Sequence, residues 1–148
     1  MPDSVTTPEA LNEEAELLAI AGRVLPAGGF GNVSHSVIVE RGEACRVWDV
    51  AGREFVDYLL GSGPMIVGHA HPEVLKVVHA CVDQGSTFFA NNPHGIRLAA
   101  EIVDAVACVE QVRYVSSGSE ADMYAIRLMR AYSGKEKVLK FEGGYHGM

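Results

Sequence analysis

Apolar residues recur at helical spacing in four segments of the chain. Pro8 and Pro72 stand at first-turn positions of two of these segments, as prolines do at helix starts. Gly134 follows the clearest segment and indicates where that helix ends. Its apolar face is formed by Ala121, Tyr124, Ala125, Leu128, Met129 and Tyr132. The pattern predicts helices over residues 8–24, 72–84, 95–107 and 119–133.

Short runs rich in β-branched and aromatic residues lie between the first two helices. They cover residues 36–40, 45–50 and 54–60. The segments between them, RGEA and AGR, have the length of tight turns and contain glycine. This alternation predicts an antiparallel meander.

Two further apolar runs, residues 112–115 and 137–141, flank the last predicted helix. Strand, helix and strand in this order predict a βαβ unit, whose parallel strands are buried beneath helices. The expected fold class is therefore α/β. A small antiparallel α+β segment over residues 1–62 precedes the start of a mostly parallel sheet over residues 63–148.

Composition and charge narrow the range of partners. The 148 residues carry 12 basic and 19 acidic side chains, a net charge of −7, whereas nucleic-acid and anionic-membrane surfaces call for basic patches. Cys45, Cys81 and Cys108 are widely spaced, which is typical of reduced thiols and not of a disulfide frame or a zinc site. The acidic N-terminus lacks the pattern of a signal peptide, and no apolar run reaches membrane-spanning length. We expect a cytoplasmic protein with no nucleic-acid or membrane partner.

The most informative candidate site is the start of the helix predicted at 119–133. Ser117, Gly118 and Ser119 follow a predicted strand, so the first N–H groups of the helix point out from the strand's carboxyl end. These groups and the positive end of the helix dipole favour an anion such as a phosphate. The fingerprints of dinucleotide and P-loop sites are absent from the sequence. Alternatively, these residues only cap the helix and form its turn.

A second candidate site lies in the sequence FEGGYHG, which follows the run 137–141. Tyr145 and His146 stand between glycines there, and the tyrosine can lay its aromatic face over a bound ring. With the predicted phosphate site, they indicate a pocket for a phosphorylated aromatic ring. The alternative is a half-buried tyrosine beside a loop histidine.

Two long stretches of the chain resemble one known family. SSGSEADMYAIRLMRAYSGKEKVLKFEGGYHG, residues 116–147, resembles the phosphate-binding and ring-stacking segment of class III pyridoxal-phosphate-dependent aminotransferases. WDVAGREFVDYLLGSGPMIVGHAHPEV, residues 48–74, resembles the N-terminal segment of the same family. The resemblance begins at about residue 24 and is closest to the branch that includes glutamate-1-semialdehyde 2,1-aminomutase.

The resemblance implies the N-terminal portion of a PLP-dependent transferase of fold type I, with pyridoxal 5′-phosphate as cofactor. Gly118 and Ser119 would hold the cofactor phosphate, with Ser117 and Glu120 shaping the turn. The full-length protein would be a homodimer with its sites at the subunit interface, acting on a small-molecule amino donor and acceptor.

Two other segments acquire expected roles from the same resemblance. Tyr145 would stack on the pyridine ring of the cofactor, and His146 would line the same pocket. The segment GSGPMIVGHAHP, residues 61–72, would lie near the substrate entrance.

The chain departs from the aminomutase in its substrate-facing segments. Residues 61–64 read GSGP, where the aminomutase carries a tryptophan in S-W-G-P. The loop AGGFGNVSHS, residues 27–36, lacks the arginine of the aminomutase's S-P-V-R segment, and GSTFFANNPHG, residues 85–95, replaces the aminomutase's own loop. These departures favour aminotransfer, with the aminomutase reaction as the alternative. Racemisation also stays open, because all three reactions begin from the same cofactor adduct.

Two groups that this chemistry needs are not found in the chain. One is the lysine that forms a Schiff base with the cofactor, and the other is a carboxylate that pairs with the pyridinium nitrogen. None of the four lysines matches the family's lysine motif, namely Lys76, Lys135, Lys137 and Lys140. We therefore expect no catalytic residue in this segment, which corresponds to about the first third of an enzyme.

Several alternatives stay open. The chain alone could be a non-catalytic protein that binds the cofactor weakly through Ser119 and Tyr145, or a fragment that does not stay folded. His69 and His71 could share a metal ion, but no third ligand is evident. Asp49 and Asp57 could form a carboxylate pair, although their places beside turns favour solvated surface groups.

Overall fold

The computed structural model describes residues 6–30 and 36–145. The elements are α1 (Pro8–Val24), β1 (Val39–Glu43), β2 (Arg46–Asp49), β3 (Glu54–Val56), α2 (Pro72–Val82), α3 (Pro93–Ala105) and α4 (Gly118–Ser133). Short 3-10 helices lie at Pro26–Gly28 and Leu60–Ser62. The chain divides into two compact units, Met1–Ser86 (unit 1) and Thr87–Met148 (unit 2). The predicted domain boundary at residue 62 stays a prediction.

All four predicted helices form, and local residues explain their ends. Thr7 caps α1, since its Oγ1 accepts a hydrogen bond from the N–H of Ala10 at 3.2 Å. Pro26 restricts Leu25 to extended backbone and so ends α1 at the predicted residue. At the end of α4, Gly134 adopts φ +65° and donates its N–H to Arg130 O.

The predicted antiparallel meander is confirmed, with strand order β1-β2-β3. Its bounds differ from the prediction, because β1 covers residues 39–43 and includes most of the segment expected to turn. The actual turn is at Ala44 and Cys45, where Ala44 adopts φ +49°. The turn between β2 and β3 has the expected glycine, Gly52, at φ +79°.

The small core of unit 1 is built around a buried carboxylate. Asp49 is fully buried at the end of β2, near the buried Val47 and Ala51. Its Oδ1 accepts the backbone N–H of Arg53 at 2.8 Å, and its Oδ2 accepts Nε of the same arginine at 2.6 Å. Arg53 also pairs with Glu14 of α1, so the turn after β2 is tied to the first helix. The expectation that Asp49 is a solvated surface group is therefore wrong, because the turn brings Arg53 back onto it.

Unit 2 contains α3 and α4 and has no buried residue among its described positions. The predicted strands 112–115 and 137–141 form no ladder within the described residues, so the predicted βαβ unit is not formed there. The physical reason is that a strand needs a neighbour to pair with, and these two segments do not pair with each other. One bond fixes the first segment, since Tyr114 Oη donates to Gly95 O of α3 at 2.9 Å.

Candidate active site

Ser117 is the N-cap of α4, which begins one residue earlier than predicted, at Gly118. Ser117 has extended backbone, and its Oγ accepts the N–H of Glu120 at 3.3 Å. The carboxylate of Glu120 folds back and accepts the N–H of Ser116 at 2.7 Å. The arrangement is a variant of the capping box, because Ser117 accepts the N–H of Glu120 while Glu120 accepts the N–H of Ser116, one residue before the capping serine. The local sequence S-S-G-S-E is thus sufficient to build the turn.

The space in front of this helix start is open. A Cβ placed on Gly118 meets no atom within 4 Å, and the N–H of Gly118 has no acceptor among the described residues. Ser119, the next residue, is partly exposed. A 16-residue helix presents its positive dipole end here, so the geometry suits an anion that approaches the backbone closely.

The remaining predicted site residues fall at the end of the described chain. Tyr145 is 91% exposed, so its ring face is accessible to a planar ligand. His146 lies outside the described residues. The four lysines, Lys76, Lys135, Lys137 and Lys140, are all exposed. A lysine that reacts as a nucleophile at neutral pH is usually desolvated or beside another cation. The four lysines are exposed to solvent and so are not activated by desolvation.

A second notable arrangement lies in unit 1, where Asp57 follows β3. Its Oδ1 accepts the N–H groups of Leu59 at 2.8 Å and Leu60 at 3.0 Å, and its Oδ2 lies 2.6 Å from Nε2 of His69. The side chain of Asp57 is only 13% exposed. The expectation that Asp57 is a solvated surface group is therefore wrong. An aspartate that bonds the backbone two residues on is typical of such turns, but its partner twelve residues away had no signal in the sequence.

These contacts change the charge state of Asp57. The hydrogen bond from His69 is the largest cause that holds the pKa of Asp57 below the 3.8 usual for an aspartate, and the N–H groups of Leu60 and Leu59 act in the same direction. Partial burial opposes this lowering but does not cancel it. Asp57 is thus an ionised acceptor at neutral pH.

The segment that Asp57 anchors has unusual backbone angles. Leu60, Ser62 and Ala70 all have positive φ, at 46°, 66° and 52°. Such angles cost on the order of 1–3 kcal/mol per non-glycine residue and persist where surrounding contacts fix them. A cavity of about 400 Å³ lies beside this segment, between residues 41–44 and 67–72. The Nδ1 atom of His71 is buried without a hydrogen-bond partner in the described structure.

Residues 6–30 and 36–145 contain neither a candidate metal site nor a candidate membrane span. No group of three or more metal-ligating side chains is present in that part of the chain. No helix there has both the length and the apolar character that a membrane crossing requires.

Comparison with known proteins identifies the relatives of this chain. The family model described as "Aminotransferase class-III" matches residues 30–148. A curated relative, glutamate-1-semialdehyde 2,1-aminomutase of Persephonella marina, is 43% identical over 138 residues, which are 93% of this chain and 32% of the relative. The chain therefore spans about a third of the length of this relative.

Solved structures give the same result for the fold. One described as a transaminase with PLP bound superposes with a TM-score of 0.86 and 36% identity, covering 93% of this chain and 33% of the other. An omega-transaminase from Sphaerobacter thermophilus superposes with a TM-score of 0.84 and 32% identity, covering 99% and 33%. The chain thus has the fold of the corresponding portion of PLP-dependent transaminases.

Proposed function

Because the chain belongs to the class III aminotransferases, we propose that it is the cofactor-phosphate segment of a PLP-dependent aminotransferase. The complete enzyme transfers an amino group between an amino acid or amine and a keto acid or aldehyde. The observation that carries the proposal is the open, capped helix start at Gly118, which lies inside the matched family segment.

The residues at the start of α4 fit the phosphate of pyridoxal 5′-phosphate. The open N–H of Gly118 and the absence of a Cβ there let a phosphate oxygen approach the backbone. Ser119 supplies a hydroxyl donor, and Ser117 and Glu120 shape the turn that presents these groups. When bound, the cofactor supplies the electron-withdrawing ring that loosens bonds at the substrate's α-carbon.

The other roles proposed for this chain concern binding and orientation. Tyr145 stacks on the cofactor ring, a contact worth about 0.5–1.5 kcal/mol beyond its buried area, and His146 lines the same pocket. None of the four lysines matches the family's lysine motif, so the proposal assigns this lysine and the carboxylate for the ring nitrogen to sequence outside these 148 residues. The full-length protein is proposed to be a cytoplasmic homodimer.

A second candidate function is the aminomutase reaction. The identity of 43% to an aminomutase favours it. The sequence GSGP at residues 61–64 and the arginine-free loop at 27–36 favour aminotransfer, because both departures fall in segments expected to face the substrate. Residues 31–35 of that loop lie outside the described residues.

The first test is the intact mass of the native gene product, followed by borohydride reduction. We expect a mass well above 15.9 kDa and a cofactor covalently fixed to a lysine that is not among the four in this chain. A native mass of 15.9 kDa without a fixed cofactor would contradict aminotransfer and leave at most weak cofactor binding.

The phosphate site has its own test in the native product. Ser119→Ala removes one hydrogen bond to a charged group, worth about 1.5–3 kcal/mol, and should weaken cofactor binding roughly 10- to 100-fold in equilibrium dialysis. Ser133→Ala is the matched control, since Ser133 is the last residue of α4 and its Oγ donates to Met129 O and accepts the N–H of Lys135. Equal affinities of the two variants would refute the assignment of Ser119.

A further inference from the structure

The turn in front of α4 is held by one carboxylate. Oε2 of Glu120 accepts the N–H of Ser116 at 2.7 Å and lies 3.4 Å from Oγ of Ser117. The same Oγ accepts the N–H of Glu120 at 3.3 Å. Both residues that precede the helix are thus tied to a single side chain of its first turn. The N–H of Gly118, which follows them, has no acceptor among the described residues and faces open space.

This carboxylate also places a negative charge beside the site proposed for an anion. Glu120 is partly buried, so its charge is screened less than that of a fully exposed side chain. It belongs to the first turn of α4, where the positive end of the helix dipole favours negative charge. A phosphate at Gly118 would use the same dipole end and would be repelled by the carboxylate.

The hydrogen bonds of Glu120 and its charge depend on different properties of the side chain. The bonds to Ser116 and Ser117 need an acceptor oxygen that reaches back past the start of the helix. A glutamine has the same reach and an amide oxygen that accepts, but it has no charge. An aspartate keeps the charge but is one methylene shorter. The two substitutions therefore separate the positioning of the turn from the repulsion.

We propose that Glu120 is a positioning residue with two opposed effects on the phosphate site. Its hydrogen bonds hold the turn that presents the N–H of Gly118, and its charge lowers the affinity of that turn for phosphate. The inference rests on the proposed function, in which this turn receives the phosphate of pyridoxal 5′-phosphate. The charge of Glu120 makes the bound cofactor easier to release.

The test measures non-covalent cofactor binding to the native gene product after its cofactor has been removed. The probe is pyridoxamine 5′-phosphate, whose amine forms no Schiff base with a lysine, and isothermal titration gives its dissociation constant. Glu120→Gln should lower this constant about two- to fivefold at low ionic strength, because the repulsion is removed. In about 0.5 M salt the difference from wild type should fall below about 1.5-fold, because salt screens the charge.

The second variant should act in the opposite direction. Glu120→Asp keeps the charge and loses the reach to Ser116, so the dissociation constant should rise about three- to tenfold at both ionic strengths. Asp122→Asn is the control for charge, since residues two apart on a helix do not face each other, and it should change the constant by less than about twofold.

A second ligand distinguishes an effect on the phosphate from general damage. Pyridoxamine has the same ring without the phosphate. Its dissociation constants for wild type and Glu120→Gln should agree within about twofold, because the charge of Glu120 acts on the phosphate. A disturbed fold would change the affinities for both ligands.

The outcomes separate the inference from the proposed function. If the wild-type product does not bind pyridoxamine 5′-phosphate, the proposed function fails and the inference fails with it. If it binds and Glu120→Gln is no tighter than wild type at low ionic strength, or is tighter by the same factor in high salt, the inference alone is overturned. Unchanged affinity in Glu120→Asp, or an equal change for pyridoxamine, also overturns it.

Discussion

Units 1 and 2 differ in what holds them together. Unit 1 has a buried carboxylate, an arginine that joins α1 to the sheet, and a second carboxylate that closes a loop. In unit 2 no described residue is buried, and apolar side chains such as Leu128 (71%) and Leu139 (99%) are exposed. The proposed cofactor residues therefore lie on the unit with the fewer internal supports. The difference indicates that unit 1 is fixed mainly by its own polar contacts, whereas unit 2 depends on apolar packing that its described residues do not supply.

The largest expected loss of stability comes from breaking the contacts between Asp49 and Arg53 in unit 1. Asp49→Ala removes the acceptor for two N–H groups of Arg53 from a fully buried site and should lower the free energy of unfolding by about 2–4 kcal/mol. Urea unfolding followed by the fluorescence of Trp48 reports on this site, because Trp48 is the chain's one tryptophan and precedes Asp49. Glu54→Ala, which breaks the exposed pair with Arg46, should cost less than about 1 kcal/mol. Equal losses would show that burial of Asp49 does not matter.

A pair of glycine substitutions sharpens the comparison within unit 1. Gly68→Ala and Gly52→Ala both place a side chain at positive φ, +81° and +79°, which costs about 1–3 kcal/mol. Gly68→Ala should cost more, because its Cβ also meets Ala44 O, whereas Gly52 faces open space. Gly118→Ala in unit 2 should be close to neutral, since that position is open and its φ is not positive. Thermal unfolding of the three variants ranks them, and an equal loss for Gly68→Ala and Gly52→Ala would contradict the close contact.

The smallest effect concerns the titration of Asp57. Because its pKa is lowered in the folded chain, the stability that it contributes is present above about pH 3.8 and is lost as the pH falls through the lowered value. NMR titration of the Asp57 carboxyl carbon should give a midpoint below 3.8 in the native chain. The midpoint should move up toward 3.8 in His69→Ala, because the largest cause of the lowering is removed. A midpoint that does not change would show that the pair is not formed in solution.

The helices and the order of strands could be predicted from the sequence because local chemistry specifies them. Thr7 and Pro8 begin α1, Pro26 ends it, and Gly134 ends α4. The antiparallel meander followed from three short runs and glycine-containing turns. The bounds of β1 were wrong because the segment RGEA is compatible with both a strand and a turn.

The candidate sites were less evenly predictable. The capped start of α4 could be found because Ser117 and Glu120 act on neighbouring residues. The burial of Asp49 and Asp57 could not be predicted from the sequence. It depends on contacts with Arg53 and His69, which the folded chain brings next to these carboxylates. The strands expected at 112–115 and 137–141 were predicted from their apolar residues, but they do not form. A strand also needs a neighbouring strand to pair with, and the described residues do not provide one for these segments.

The contacts of Asp57 with both ends of residues 60–68 have a consequence for how this segment tolerates change. Since both ends of the segment meet at Asp57, its interior can change in length or composition while the sheet keeps its register. Insertions or substitutions inside this segment should therefore leave the pairing of β2 with β3 unchanged.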